Sequence, residues 1–156
     1  MTITNHVLAG SIIGLIVKEP ILAVTIAFAS HFVMDALPHF GYPGRKGFPE
    51  VLKHRLSYIV GIITLISTLW IVFILINNSL YFPLTCALVA ASPDFVGWYN
   101  YIAYERKGNL ATGWLKLLHV QFHRRIQKFE RPWGLLVEVV VFVSLLWLLI
   151  LLGFKP

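Results

Sequence analysis

The stretch Leu56–Ile76, LSYIVGIITLISTLWIVFILI, runs for 21 residues without a charge. As a helix it rises ~1.5 Å per residue and matches the ~30 Å hydrocarbon core of a bilayer. The whole chain agrees with that reading. Of its 156 residues 58% are hydrophobic and 13% charged, and the mean hydropathy is +0.76. A soluble domain carries about a quarter charged residues. One domain, 1–156, is expected, an all-α polytopic membrane helical bundle. The start lacks the basic segment of a signal peptide, so Met1 is read as the mature start or close to it. Cys86 is the single cysteine, which excludes an intrachain disulfide and a cysteine-based zinc or iron–sulfur site.

Further spans follow outward from Leu56–Ile76. Asn77-Asn78-Ser79 forms a turn, and Leu80 to about Trp98 crosses back. Upstream, Ile3–Val17 is a short first span whose Ala9, Gly10 and Gly14 allow a neighbouring helix to approach closely. Thr4 or Asn5 can cap it. Lys18-Glu19-Pro20 is a turn, with Pro20 suited to the first position of the next helix. Ile21–Leu37 returns and should end near Pro38. Phe40–Arg55 is polar and rich in Gly and Pro. From Tyr99 to Arg131 the chain is basic and aromatic. Trp114, Leu118, Phe122, Ile126 and Phe129 recur at three- or four-residue spacing, the pattern of an amphipathic helix on the membrane surface. Trp133–Leu152 is the last span, with Glu138 in its second turn.

The spans number about five, and the odd count places the N-terminus and both long polar segments on one side. That side carries 11 of the 13 lysines and arginines, against Lys18 and Lys155 on the other. The loaded side is therefore cytoplasmic, and the protein is expected as a multi-pass inner (plasma) membrane protein. The same asymmetry accounts for the net charge of +6, so membrane lipids are the expected partners and nucleic acid is not. Gly10 and Gly14 serve contacts within one chain or between two copies of a homo-oligomer.

The topology brings the ionisable groups together. His6 opens the first span. His31, Asp35 and His39 recur every fourth residue at the end of the second, with His31 and Asp35 on one helix face. Asp94, in Ser92-Pro93-Asp94, lies near the end of the fourth span. His119 and His123 lie on the surface helix, and Glu138 in the fifth span. Imidazole nitrogen and carboxylate oxygen are zinc ligands, and manganese or iron accepts them too. A divalent ion would offset the cost of holding these groups at the membrane. The candidate ligands are His6, His31, Asp35, His39, Asp94, His119 and His123. Asp94 or Glu138 could act in catalysis, Glu138 as general base. Arg124, Arg125 and Lys128 could hold an anionic group of a substrate.

Thr4-Asn5-His6 before Gly10 and Gly14, Ser30-His31-Phe32-Val33-Met34-Asp35-Ala36-Leu37-Pro38-His39, Ser92-Pro93-Asp94, and Phe122-His123 with Gln127 together resemble a family of small bacterial inner-membrane proteins. These are labelled membrane-bound metal-dependent hydrolases, and one branch is LexA-regulated. The resemblance covers nearly the whole chain and implies a metal-dependent hydrolase. The HxxxD element alone is also reminiscent of zinc-dependent phospholipase C. Relatives often carry a second aspartate after Pro-Asp and an Arg…His-Ser element. Here Phe95-Val96-Gly97-Trp98 follows instead, which speaks against a two-metal site of the kind expected in those relatives. A site at headgroup depth under a basic rim suits a lipid-linked phosphate or other anionic ester. Two alternatives stand beside the enzyme: a metal or haem binding or transport protein, and a membrane scaffold whose polar groups form an internal network.

Overall fold

The shortest apolar segment forms the centre of the protein. The computed structural model describes residues 1–41, 55–107 and 130–153, with the backbone alone for 96–107 and residue 130. Five helices are described: α1 (Ile3–Ile16), α2 (Pro20–Asp35), α3 (Arg55–Asn77), α4 (Tyr81–Lys107) and α5 (Gly134–Gly153). Helix α1 touches each of the other four. Its residues from Thr4 to Ile12 are all buried. Burial on every side explains why no single face of α1 is more apolar than another.

Small residues make that position possible. A Cβ added to Gly10 would lie 2.5 Å from the Cys86 carbonyl oxygen and 2.8 Å from the Ala87 Cα. One added to Gly14 would lie 2.7 Å from the Pro83 Cα. Helix α1 thus rests directly on the α4 backbone, along Cys86, Ala87 and Ala90, the close approach expected of small-residue helix faces. Val7, Leu8, Ile12, Ile71, Leu75, Ala87, Ala91 and Leu149 form the main apolar cluster around it.

Helices α3 and α5, of 23 and 20 residues, are long and apolar enough to cross a membrane. Their outward faces are apolar: Ile63, Leu69, Trp70, Phe73, Val140 and Trp147 are exposed. Helices α1 and α2 are apolar but have 14 and 16 residues, or ~21 and ~24 Å at ~1.5 Å per residue. The Leu56–Ile76 reading is met by α3, which exceeds it by one residue at each end.

One local expectation changes. Neither Thr4 nor Asn5 caps α1: Thr2 is the capping residue, through its backbone carbonyl, which accepts from the Asn5 and His6 amides at 3.0 and 3.4 Å. Thr4 and Asn5 instead lie buried inside the helix and bind its neighbours. The stretch Leu80 to about Trp98 lies in α4, which continues as helix to Lys107. The surface helix read from Trp114, Leu118, Phe122, Ile126 and Phe129 falls within 108–129, which lie outside the described residues. Pro20 does open α2, which ends at Asp35, with Ala36 and Leu37 turning before Pro38.

Beyond that turn, β1 (His39–Phe40) pairs in parallel with β2 (Glu130–Arg131), His39 opposite Glu130 and Phe40 opposite Arg131. This two-residue bridge sits beside the first turns of α5. The turn after α3 uses Ser79 at φ 56°. The Leu80 amide reaches back to the Leu75 carbonyl at 2.8 Å and the Ser79 amide to that of Ile76 at 3.0 Å, the left-handed helix stop usually given to glycine.

Candidate metal centre

Three helices place four side chains around one point. His6 lies in the first turns of α1, His31 and Asp35 one turn apart on α2, and Asp94 on α4 just after Pro93. The i, i+4 spacing puts His31 and Asp35 on one face, as the sequence requires. The imidazoles of His6 and His31 stack, with centroids 4.1 Å apart and planes inclined by 26°. The Phe32 ring stands edge-on to His31 at 5.1 Å.

Both Nε2 atoms face the two carboxylates. Asp35 spans the pair, Oδ1 lying 3.1 Å from His6 Nε2 and Oδ2 3.3 Å from His31 Nε2. Asp94 faces the same atoms from the other side, Oδ2 at 4.0 Å from His6 Nε2 and Oδ1 at 3.8 Å from His31 Nε2. The amino group of Met1 also contacts Asp35 Oδ1. His6, His31 and Asp94 form a group that could hold a metal ion, each offering one ligand atom, all within 4.8 Å of one another. Two ligands of a tetrahedral ion, each ~2.0–2.2 Å from it, lie ~3.3–3.6 Å apart. The Asp94 separations close to that range with a movement of a few tenths of an ångström.

The tautomer of His31 bears on the fit. Its Nδ1 lies 3.0 Å from the Ala90 carbonyl oxygen, which can only accept. Nδ1 therefore carries a proton, and the ring directs Nε2 at the two carboxylates. A proton or a metal ion between Nε2 and the carboxylate oxygens satisfies both. Hydrogen bonding of the far nitrogen to a backbone carbonyl is also the usual support of a metal-bound histidine. His6 lacks such support among the described residues, where its buried Nδ1 has no hydrogen-bond partner.

The stretch of α4 around Pro93 provides both this carbonyl, from Ala90, and the Asp94 carboxylate. Pro93 has no N–H for the Val89 carbonyl four residues back. The Ser92 hydroxyl donates to that carbonyl instead, at 2.8 Å. The next carbonyl, Ala90, receives His31. A proline-interrupted helix remains satisfied in an apolar setting only through such substitutes.

Burial is uneven across the group. The side chains of His6 and His31 are 0% exposed and Asp35 1%, whereas Asp94 is 33% exposed. Of the four side chains, Asp94 is the one that reaches the surface of the described residues.

His39 and Glu138 are not members of this group. His39 Nδ1 lies 2.8 Å from the Leu37 carbonyl oxygen, within its own turn. Glu138 is buried on α5, where its Oε1 accepts from the Phe40 amide at 3.2 Å and its backbone carbonyl accepts from Asn5 Nδ2 at 3.2 Å. It fastens the β1 turn and α1 to α5. Glu138→Gln keeps an acceptor for the Phe40 amide and is expected to leave metal content and thermal stability nearly unchanged. Glu138→Ala is expected to lower stability by ~1–3 kcal/mol, since it leaves a buried donor unsatisfied. A thermal melt in detergent checks both, and loss of hydrolysis in the Gln variant alone would restore Glu138 as a general base. His119, His123, Arg124, Arg125 and Lys128 lie outside the described residues. The sequence reading missed Ala90, whose backbone oxygen has no side-chain signature, and Asn5, which it read as a possible cap.

The chain matches no protein-family model, no curated protein and no solved structure.

Proposed function

We propose that this chain is a membrane-embedded metal-dependent hydrolase, with one divalent ion, zinc favoured, held by His6, His31 and Asp94. The observation that carries the reading is the convergence of two imidazole Nε2 atoms on two carboxylates while His31 Nδ1 is tied to a backbone carbonyl. Two nitrogens and one oxygen make a zinc donor set with a position left open, the composition of catalytic rather than closed structural sites. Such an ion supplies Lewis acidity toward a phosphoryl or carbonyl oxygen and activates water at neutral pH. Asp35, nearly fully buried against both imidazoles, orients them and balances the charge of the ion. The partly exposed Asp94 marks the side from which a substrate arrives.

The charge asymmetry of the chain, 11 basic residues against two, supports a five-span arrangement with this centre at the cytoplasmic face. A lipid-linked phosphate or other anionic ester suits a centre at that depth. The resemblance to the membrane-bound metal-dependent hydrolases points the same way. The stacking of His6 and His31 speaks against haem held by this histidine pair, because side-by-side rings cannot occupy opposite axial positions of one iron.

Elemental analysis of protein purified in mild detergent, followed by assays on phospholipids and isoprenoid phosphates, tests the reading. About one equivalent of zinc or manganese and metal-dependent release of phosphate or a headgroup are expected. Metal without turnover across these esters would leave a binding or transport protein. No metal, with Asp35→Ala merely destabilising, would leave a scaffold built on a polar network.

A further inference from the structure

We propose that the groove between α1, α3 and α5 binds a single hydrocarbon chain of a membrane lipid. The proposal stands on the groove itself and is separate from the metal centre, which lies on another flank of α1. The cavity has a volume of ≈ 280 Å³, at the lower edge of the ~300–1,000 Å³ typical of ligand pockets. That suits one slender chain.

Its walls are hydrocarbon, with Val60 and Ile63 from α3 facing Leu135, Val139 and Phe142 from α5. Of the polar groups along it, Thr4 and Glu138 have partners within the protein. Thr4 Oγ1 lies 2.9 Å from the Thr64 carbonyl oxygen and 2.8 Å from Thr68 Oγ1. Glu138 Oε1 accepts from the Phe40 amide. A polar ligand would gain little here, and an apolar one loses only water or lipid contact.

The occupant follows from where the groove leads. Ile63 is 57% and Val139 51% exposed, so both line the groove and also belong to the outer apolar faces of the two helices able to cross a membrane. The groove thus continues the surface that lipid chains cover, and a chain enters it sideways from the bilayer. Thr2 and Glu138 lie at one end, where α1, α3 and α5 all have their first turns. The polar end of the lipid lies there, at the level of His6.

The test is photolabelling in phosphatidylcholine nanodiscs with palmitic acid carrying a mid-chain diazirine, mapped by peptide mass spectrometry. Saturable labelling at Val60, Ile63 and Val139, competed by unlabelled palmitic acid, is expected. Val60→Trp fills the groove and should reduce labelling about tenfold. Leu69→Trp, on the outer face of α3, should not change it. Labelling that never saturates, or that is spread evenly to Leu69 and Trp70, would overturn the proposal. Saturation and competition are read on the unaltered protein, so a variant that fails to fold does not remove the test.

Discussion

His31→Ala is expected to abolish stoichiometric metal binding and with it any hydrolysis. The substitution removes one of the two imidazole nitrogens and the contact to the Ala90 carbonyl that sets its tautomer. Loss of an outer hydrogen bond alone costs a metal site ~10–100-fold in affinity. Loss of the ligand itself should exceed ~100-fold, or about 2.7 kcal/mol. Asp94→Ala should act similarly on metal content while disturbing the fold less, because Asp94 is 33% exposed. His39→Ala should retain the metal, since His39 is engaged with the carbonyl of Leu37. Competition against a chromophoric zinc chelator measures all three. Equal affinities in His31→Ala and the unaltered protein would remove the centre as proposed.

Gly10→Val is the second large effect. Its side chain would have to enter the space occupied by the Cys86 carbonyl oxygen and the Ala87 and Ala90 atoms. Overpacking of this kind costs ~1–3 kcal/mol and moves backbone. Here it forces α1 away from α4 and so separates His6 from Asp94, which those helices carry. Thermal stability and metal affinity should fall together. Gly61→Ala is the control. A Cβ there meets nothing within 4 Å, and the helix gains ~0.5–1 kcal/mol in propensity. Melts in detergent beside zinc titrations separate these outcomes; a Gly10→Val protein with unchanged metal affinity would show that α1 does not position His6 through this contact.

Much of the fold is legible in the chain itself. The uncharged run Leu56–Ile76 specifies a long helix because nothing else satisfies its backbone in an apolar setting. Pro20 and Pro38 mark where α2 begins and where it has to stop, since each lacks an amide donor. The spacing of His31 and Asp35 fixes their common face through helix geometry alone. Glycines at 10 and 14 signal a close neighbour without saying which. Tyrosines and basic residues after Trp98 resemble a membrane interface, and helix α4 runs through them to Lys107.

By itself the sequence determined a helical, apolar chain with His31 and Asp35 side by side, a small-residue face on α1 and a carboxylate after Pro93. Only the tertiary structure decided that α1 is the central helix and that His6 stacks on His31. It also brought Asp94 to face the same two nitrogens, left His39 outside that group, and turned Glu138 to fasten Phe40. The physical reason is that a helix apolar on all sides carries no periodic signal for which face is inward. Its neighbours are chosen by small-residue contacts and polar partners distant in sequence, and a backbone carbonyl such as that of Ala90 becomes a partner only when the helices are packed.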